Sequence, residues 1–215
     1  MEGRDAFRLA RVPAAAIVLL GIGGVLHAAG WAPDAFDLDG EYNVPAIWSA
    51  CLFGAAAVIG VAAGRSREAA ERRAFYVVAA LLAYFGVDEL TQVHERINAR
   101  LDFAWQVVYL PLGAAFAWAT WTIVRNLGRS SRAVQLLCVA TAAWVISQAL
   151  EAFEFGHIVP GLVDETAPLP ERHAATHSLA FYAMSIPEEV LEMAGTLLFA
   201  IAFATVVRRA ARAPH

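Results

Sequence analysis

The sequence predicts an all-α polytopic membrane protein, a six-transmembrane-helix bundle with both termini cytoplasmic. Two observations carry this. The 215 residues are 59% hydrophobic, well above the roughly 45–50% of a soluble domain, and the mean hydropathy is +0.53. The apolar residues also fall into six long runs separated by short charged stretches, the pattern of spans needing about 20 apolar residues each.

The runs are Val12 to Trp31, Val44 to Ala63, Ala74 to Val93, Ala104 to Val124, Ala133 to Phe155 and Ile186 to Val207. In hydrocarbon the backbone must satisfy its own hydrogen bonds, so each run reads as a helix. The first has a basic flank like a signal peptide, but its apolar stretch is longer than a typical signal core. The whole chain, 1–215, reads as one integral membrane domain, and its longest extramembrane piece is the loop 158–185.

Arginine sets the expected orientation; the chain has no lysine. Arg4, Arg8 and Arg11 precede the first run. Arg65, Arg67, Arg72 and Arg73 lie between the second and third, and Arg125, Arg129 and Arg132 between the fourth and fifth. Arg208, Arg209 and Arg212 follow the sixth. Only Arg96, Arg100 and Arg172 fall on the other side. The positive-inside rule places the termini in the cytoplasm of a plasma (inner) membrane protein. No basic patch with interleaved aromatics suggests a nucleic-acid partner; the expected surroundings are the lipid bilayer. Cys51 and Cys138 lie inside apolar runs and read as inert core thiols.

Most carboxylates gather on the opposite, non-cytoplasmic side. The third run ends with Asp88-Glu89 and His94-Glu95, and the fifth with Glu151, Glu154 and His157. The sixth begins with Glu188, Glu189 and Glu192, and Glu41 and Asn43 precede the second. Helical spacing groups these residues. Asp88 and Glu95 are seven apart, with Gln92 between them. Gln148, Glu151 and Glu154 step by three, and Glu154 and His157 form a Glu-x-x-His pair, a spacing that lets both side chains reach one metal.

Each carboxylate at the centre of a membrane helix costs roughly 2.5–3.5 kcal/mol, and anions packed together repel. Protons, arginines or a bound cation must neutralise them. The expected metal ligands are Asp88, Glu89, His94, Glu151, Glu154, His157, Glu189 and Glu192, supported by Glu41, Gln92, Glu95, Gln148 and Glu188. Carboxylates with one or two histidines suit iron, manganese or zinc, with calcium ranking behind.

Plainer readings compete at several positions. Ser185-Ile186-Pro187-Glu188 fits a capping box at a helix start. Glu95 reads equally well as a solvated interface residue. Asp34, Asp37 and Asp39 read as solvated turn residues, and His27 as a packing residue. His173 and His177 have metal-like spacing but sit in a proline-flanked loop. Tyr84, Trp105, Tyr109 and Trp144 fit the membrane aromatic pattern without a further role.

Three segments together carry a resemblance: Asp39-Gly40-Glu41, then Asp88-Glu89 with His94-Glu95, then Glu188-Glu189 with Glu192. From about Asp39 to Gly195 the chain resembles a group of uncharacterised bacterial multi-pass membrane proteins. That resemblance implies no activity, cofactor or substrate.

The first functional expectation is a metalloenzyme, an oxidoreductase or hydrolase, acting on a lipid or other apolar substrate. The second is a proton or divalent-cation transporter or channel, disfavoured because the inner halves of the second, third and sixth runs carry almost no polar groups. The third is a non-catalytic membrane subunit or ion sensor.

Overall fold

The chain is described here from a computed structural model covering residues 10–38, 42–93, 97, 105–128, 130–153, 158 and 178–211. Among the described residues it is all-helical, with six helices long and apolar enough to cross a membrane. They are α1 (Arg11–Ala28), α2 (Val44–Arg65), α3 (Ala69–Thr91), α4 (Trp105–Leu127), α5 (Arg132–Phe153) and α6 (Leu179–Ala210). A 3-10 turn, Asp34–Phe36, lies between α1 and α2.

Local chemistry explains most boundaries. The Asn43 side chain accepts from the Ala46 amide, and Pro45 stands in the first turn, which together start α2. Ser131 caps α5 by accepting from Val134. Helix α1 ends at Ala28 rather than Trp31. Gly30 takes φ +75°, and the Trp31 and Ala32 amides fold back onto the Leu26 carbonyl, as glycine-terminated helices do. Helix α3 starts five residues before its apolar run because Glu71, Arg72 and Arg73 are good helix formers; hydropathy marks the span, not the helix end.

The sixth helix corrects the sequence reading most. It begins at Leu179, where Ser178 accepts from the Phe181 amide. Ser185, Pro187 and Glu188 are therefore not a capping box; Pro187 lies inside the helix. Proline offers no amide to the Ala183 carbonyl, a cost that context must offset.

Helix α6 is the hub: it packs against α5, α2 and α1, while α2 packs on α3 and α3 on α4. Its C-terminal half forms the main core with α2, α3, α4 and α5. Phe53, Phe75, Leu82, Ile123, Leu137, Phe199, Phe203 and Val206 are all essentially inaccessible. Phe75 meets Phe203 at 5.5 Å and Phe116 meets Phe199 at 5.5 Å, both edge-to-face, while Phe116 stacks on Trp144 at 5.6 Å. Helix α1 docks separately through Ile17 and Leu20 against Leu38, Leu52 and Met193.

The outside of the bundle is apolar too. Val12, Leu19, Val58, Leu110, Trp121, Val145 and Leu179 are exposed. Cys51 and Cys138 are also exposed, which corrects their reading as core thiols. Apolar runs that are hydrophobic all round do not reveal which face points inward.

Close approach of α2 and α3 depends on Gly86. A Cβ there would lie 2.9 Å from Phe53 Cβ and 3.2 Å from the Ala50 carbonyl oxygen, whereas one at Gly113 on α4 would meet nothing within 4 Å. Gly86→Ala should therefore lower stability by about 1–3 kcal/mol, while Gly113→Ala should be neutral or mildly stabilising. Thermal unfolding of detergent-purified variants tests this; equal melting temperatures would refute it.

Candidate functional site

Carboxyls at the ends of α3 and α5 lie near those carried within α6, in the half of the bundle away from the helix-flanking arginines. Asp88, Glu188 and Glu192 are buried, at 5%, 7% and 8% exposure. Glu89, Glu151 and Glu189 are half-buried. Glu89 on α3 shares a side-chain hydrogen bond with Glu192 on α6, and lies within electrostatic reach of Glu188, Asp88 and Glu151. A carboxylate only accepts, so a bond between two carboxyls needs one proton between them. Carboxyls from three helices, α3, α5 and α6, thus lie within electrostatic reach of one another.

The surrounding hydroxyls divide the cluster into two arms. On one side Ser147 of α5 donates to Glu188 Oε1 at 3.1 Å. On the other, the Tyr109 hydroxyl of α4 donates toward both Asp88 oxygens, at 3.3 and 3.4 Å. Tyr84, one turn before Asp88 on α3, hydrogen-bonds Tyr109 at 2.6 Å. With Tyr109 donating to Asp88, Tyr84 is the donor to Tyr109. The two tyrosines are therefore part of the site, which corrects their reading as plain membrane aromatics. The i,i+4 spacing of Tyr84 and Asp88 was the available signal; the partner on α4 had none.

Helix α6 carries a polar stripe that crosses Pro187. Because the helix is continuous through Pro187, Tyr182, Ser185, Glu188, Glu189, Glu192 and Thr196 all belong to one helix. At ~100° per residue, Ser185, Glu192 and Thr196 fall within about 40° of arc. Ser185 and Thr196 are fully buried, and neither hydroxyl has a hydrogen-bond partner among the described residues.

Other expected residues fall differently. Gln92 is not part of a polar face on α3. It adopts the left-handed conformation, φ 53°, ψ 45°, and closes the helix by donating its amide to the Asp88 carbonyl. The register that aligned Asp88 with Glu95 therefore stops at Gln92. Gln148 is half-buried on α5. Asp39, Glu41, His94, Glu95, Arg96, Arg100, Trp105's side chain, Glu154, His157, Arg172, His173 and His177 lie outside the described residues. Among the described residues, no group of three or more His, Cys, Asp or Glu is arranged to hold a metal ion.

His27 and Asp37 form a second polar contact. Nδ1 of His27 donates to the Ala32 carbonyl at 3.3 Å, and Nε2 lies 3.2 Å from the Tyr182 hydroxyl and 3.6 Å from Asp37 Oδ2. His27 is thus a satisfied packing residue, as expected. Asp37 is buried at 9% exposure, which corrects its reading as a solvated turn residue, whereas Asp34 is fully exposed. The Asn43 side-chain amide donates to the Asp37 carbonyl and ties this segment to the start of α2.

Tyr109→Phe removes the phenol that joins α4 to Asp88. It should lower stability by about 1–3 kcal/mol, with Tyr84→Phe costing less because Tyr109 keeps its bond to Asp88. Thermal unfolding in detergent measures both; a Tyr109→Phe variant as stable as the parent would show that the phenol holds nothing.

A search of curated proteins returns no match, and neither does a search of solved structures. The sequence profile of one family spans residues 9–207, which includes every helix up to the last turn of α6. The chain belongs to that family, described as a domain of unknown function (DUF8692).

Proposed function

We propose that the chain is a multi-pass inner-membrane protein with cytoplasmic termini, whose carboxyl cluster at the non-cytoplasmic helix ends binds a divalent metal and serves a metalloenzyme acting on a lipid or other apolar substrate. The observation that carries this reading is the hydrogen bond between Glu89 and Glu192, with Asp88, Glu151 and Glu188 within electrostatic reach. Carboxyls held this close inside an apolar bundle need a positive species among them. A proton fills that role when no ion is bound.

The exchange of proton for cation needs little movement. Two oxygens on one ion, each at roughly 2.0–2.6 Å, lie about 3 Å apart, close to the separation of two hydrogen-bonded oxygens. Side-chain rotation accommodates that difference while the helices stay in place. Glu154, His94 and His157 remain proposed ligands, and Glu41 and Glu95 proposed supporting residues.

A site with access from one side fits better than a path across the bundle. Below Thr196 the interior is closed by Phe75, Phe116, Phe199, Phe203 and Val206, all buried. A proton or cation path would need polar groups through this layer. A second reading, a cluster that only holds and releases protons, is favoured by the same Glu89–Glu192 bond.

Elemental analysis of protein purified in detergent without chelator tests the metal. The expected result is a stoichiometric divalent metal, largely lost from Glu192→Gln and Glu89→Gln. A folded, metal-free protein that takes up no added divalent ion would leave the proton-holding reading. Orientation is tested separately. A carboxy-terminal phosphatase fusion should be inactive and a fluorescent-protein fusion bright; the opposite pattern would place the termini outside.

A further inference from the structure

We infer that the seam between α2 and α3, at the arginine-bearing end of the bundle, holds the phosphate of an anionic phospholipid, with Arg65, Arg73 and Tyr76 as its donors. This site is separate from the carboxyl cluster and does not depend on it. It needs only that the six apolar helices lie in a bilayer, whichever side that end faces.

Packing fixes where these side chains stand. A Cβ at Gly64, in the last turn of α2, would lie 2.8 Å from the Tyr76 ring and 3.1 Å from Phe75 Cβ. Tyr76 of α3 therefore lies over the end of α2, and it is 38% exposed. The two helices run antiparallel, from Gly64 against Tyr76 to Phe53 against Gly86. Steps of roughly 80–140° from the contact face reach Arg65 and Val58 on α2, and Tyr76 and Arg73 on α3. Antiparallel helices turn those steps to the same side of the pair. Both arginines are exposed, as is Val58, and Val61 between Val58 and Arg65 is half-buried. An apolar stripe thus runs from the arginines toward the middle of the span.

Charge selects an anion for this place. Residues 65–73 carry four arginines, Arg65, Arg67, Arg72 and Arg73, against two glutamates, Glu68 and Glu71. Two of the arginines are engaged. Arg72 donates through Nε and a terminal nitrogen to the Arg67 carbonyl, at 3.2 and 2.9 Å, and Arg67 pairs with Glu71 at 3.8 Å. Arg65 and Arg73 have no hydrogen bond or ion pair among the described residues. Glu68 stands at the start of α3, where the positive helix end offsets its charge. The positive-inside rule calls for arginines at this end but not at particular positions. A guanidinium fork matches two phosphate oxygens at once, and a tyrosine at headgroup depth adds a hydroxyl donor. A zwitterionic headgroup brings its own cation and leaves the positive surplus unmatched. Free phosphate would satisfy the arginines but not the apolar stripe, along which a lipid lays its acyl chain.

Native mass spectrometry of the full-length protein in detergent, titrated with phosphatidylglycerol or with phosphatidylcholine of the same chains, tests this. Phosphatidylglycerol should bind roughly tenfold more tightly. Arg65→Gln and Arg73→Gln should each weaken it about fivefold, and Tyr76→Phe by less, since the ring stays over Gly64. Arg125→Gln, an exposed arginine at the same end on α4, should leave the affinity unchanged. Unfolding temperatures in lipid-free detergent should match the parent for all four variants, which separates lost binding from lost fold. Equal affinity for the two lipids would overturn the inference, as would an equal loss from Arg125→Gln. Displacement of phosphatidylglycerol by millimolar inorganic phosphate, but not by chloride of matched ionic strength, would also overturn it, because the site would then take a free anion. None of these outcomes bears on the carboxyl cluster.

Discussion

A carboxyl group inside an apolar bundle must keep either a proton or a cation close to it, and the arrangement of this protein's polar residues follows from that requirement. Asp88, Glu188 and Glu192 are buried. Each is provided for differently: Asp88 by the Tyr109 phenol, Glu188 by the Ser147 hydroxyl, Glu192 by the neighbouring Glu89 carboxyl. The partners come from α3, α4 and α5, so the cluster ties these helices and α6 together through polar contacts. Removing one partner leaves a polar group stranded, which costs more than the bond itself contributes. The acids are thus structural and chemical at once, and substitutions there need a folding readout beside any functional one.

The packing beneath the cluster is built on the opposite rule. Phe75, Phe116, Phe199 and Phe203 interlock edge-to-face. Gly60 lets Phe203 lie against α2, since a Cβ at that position would stand only 3.2 Å from the ring. Gly195 does the same for α5, bringing the α6 backbone against Ala140 and Trp144. When the surroundings are as apolar as the core, close packing rather than exclusion from water holds helices together. The rigid aromatic layer therefore supports the polar end, and its small residues set how closely the acid-bearing helices approach.

Much of this architecture was legible in the sequence, for physical reasons. Span length is fixed by helical rise, so the six runs gave the six helices. Carboxylates are expensive in an apolar run, so Asp88, Glu89, Glu151 and Glu192 stood out without coordinates. Three things were not legible. Pro187 next to serine and glutamate reads as a helix start, yet Ser178 is the cap and the helix runs through the proline. Tyr109 reads as an ordinary membrane aromatic, and its bond to Asp88 depends on tertiary packing that the sequence does not show. The thiols of Cys51 and Cys138 could not be assigned to inside or outside, since both faces of their helices are apolar.

The continuity of α6 through Pro187 also decides what kind of site is built. Had the helix started at Ser185, the hydroxyl would have been used as a cap and Glu188 would have faced the first-turn amides. Starting at Leu179 places Tyr182 two turns above Glu189 and frees Ser185 from that duty. It also extends the buried stripe outward to the His27–Tyr182 contact, where α1 and the Asp37 segment close over it. Read as a helix boundary, Pro187 instead lies within one continuous helix, and that continuity puts buried hydroxyls and carboxyls on a single element.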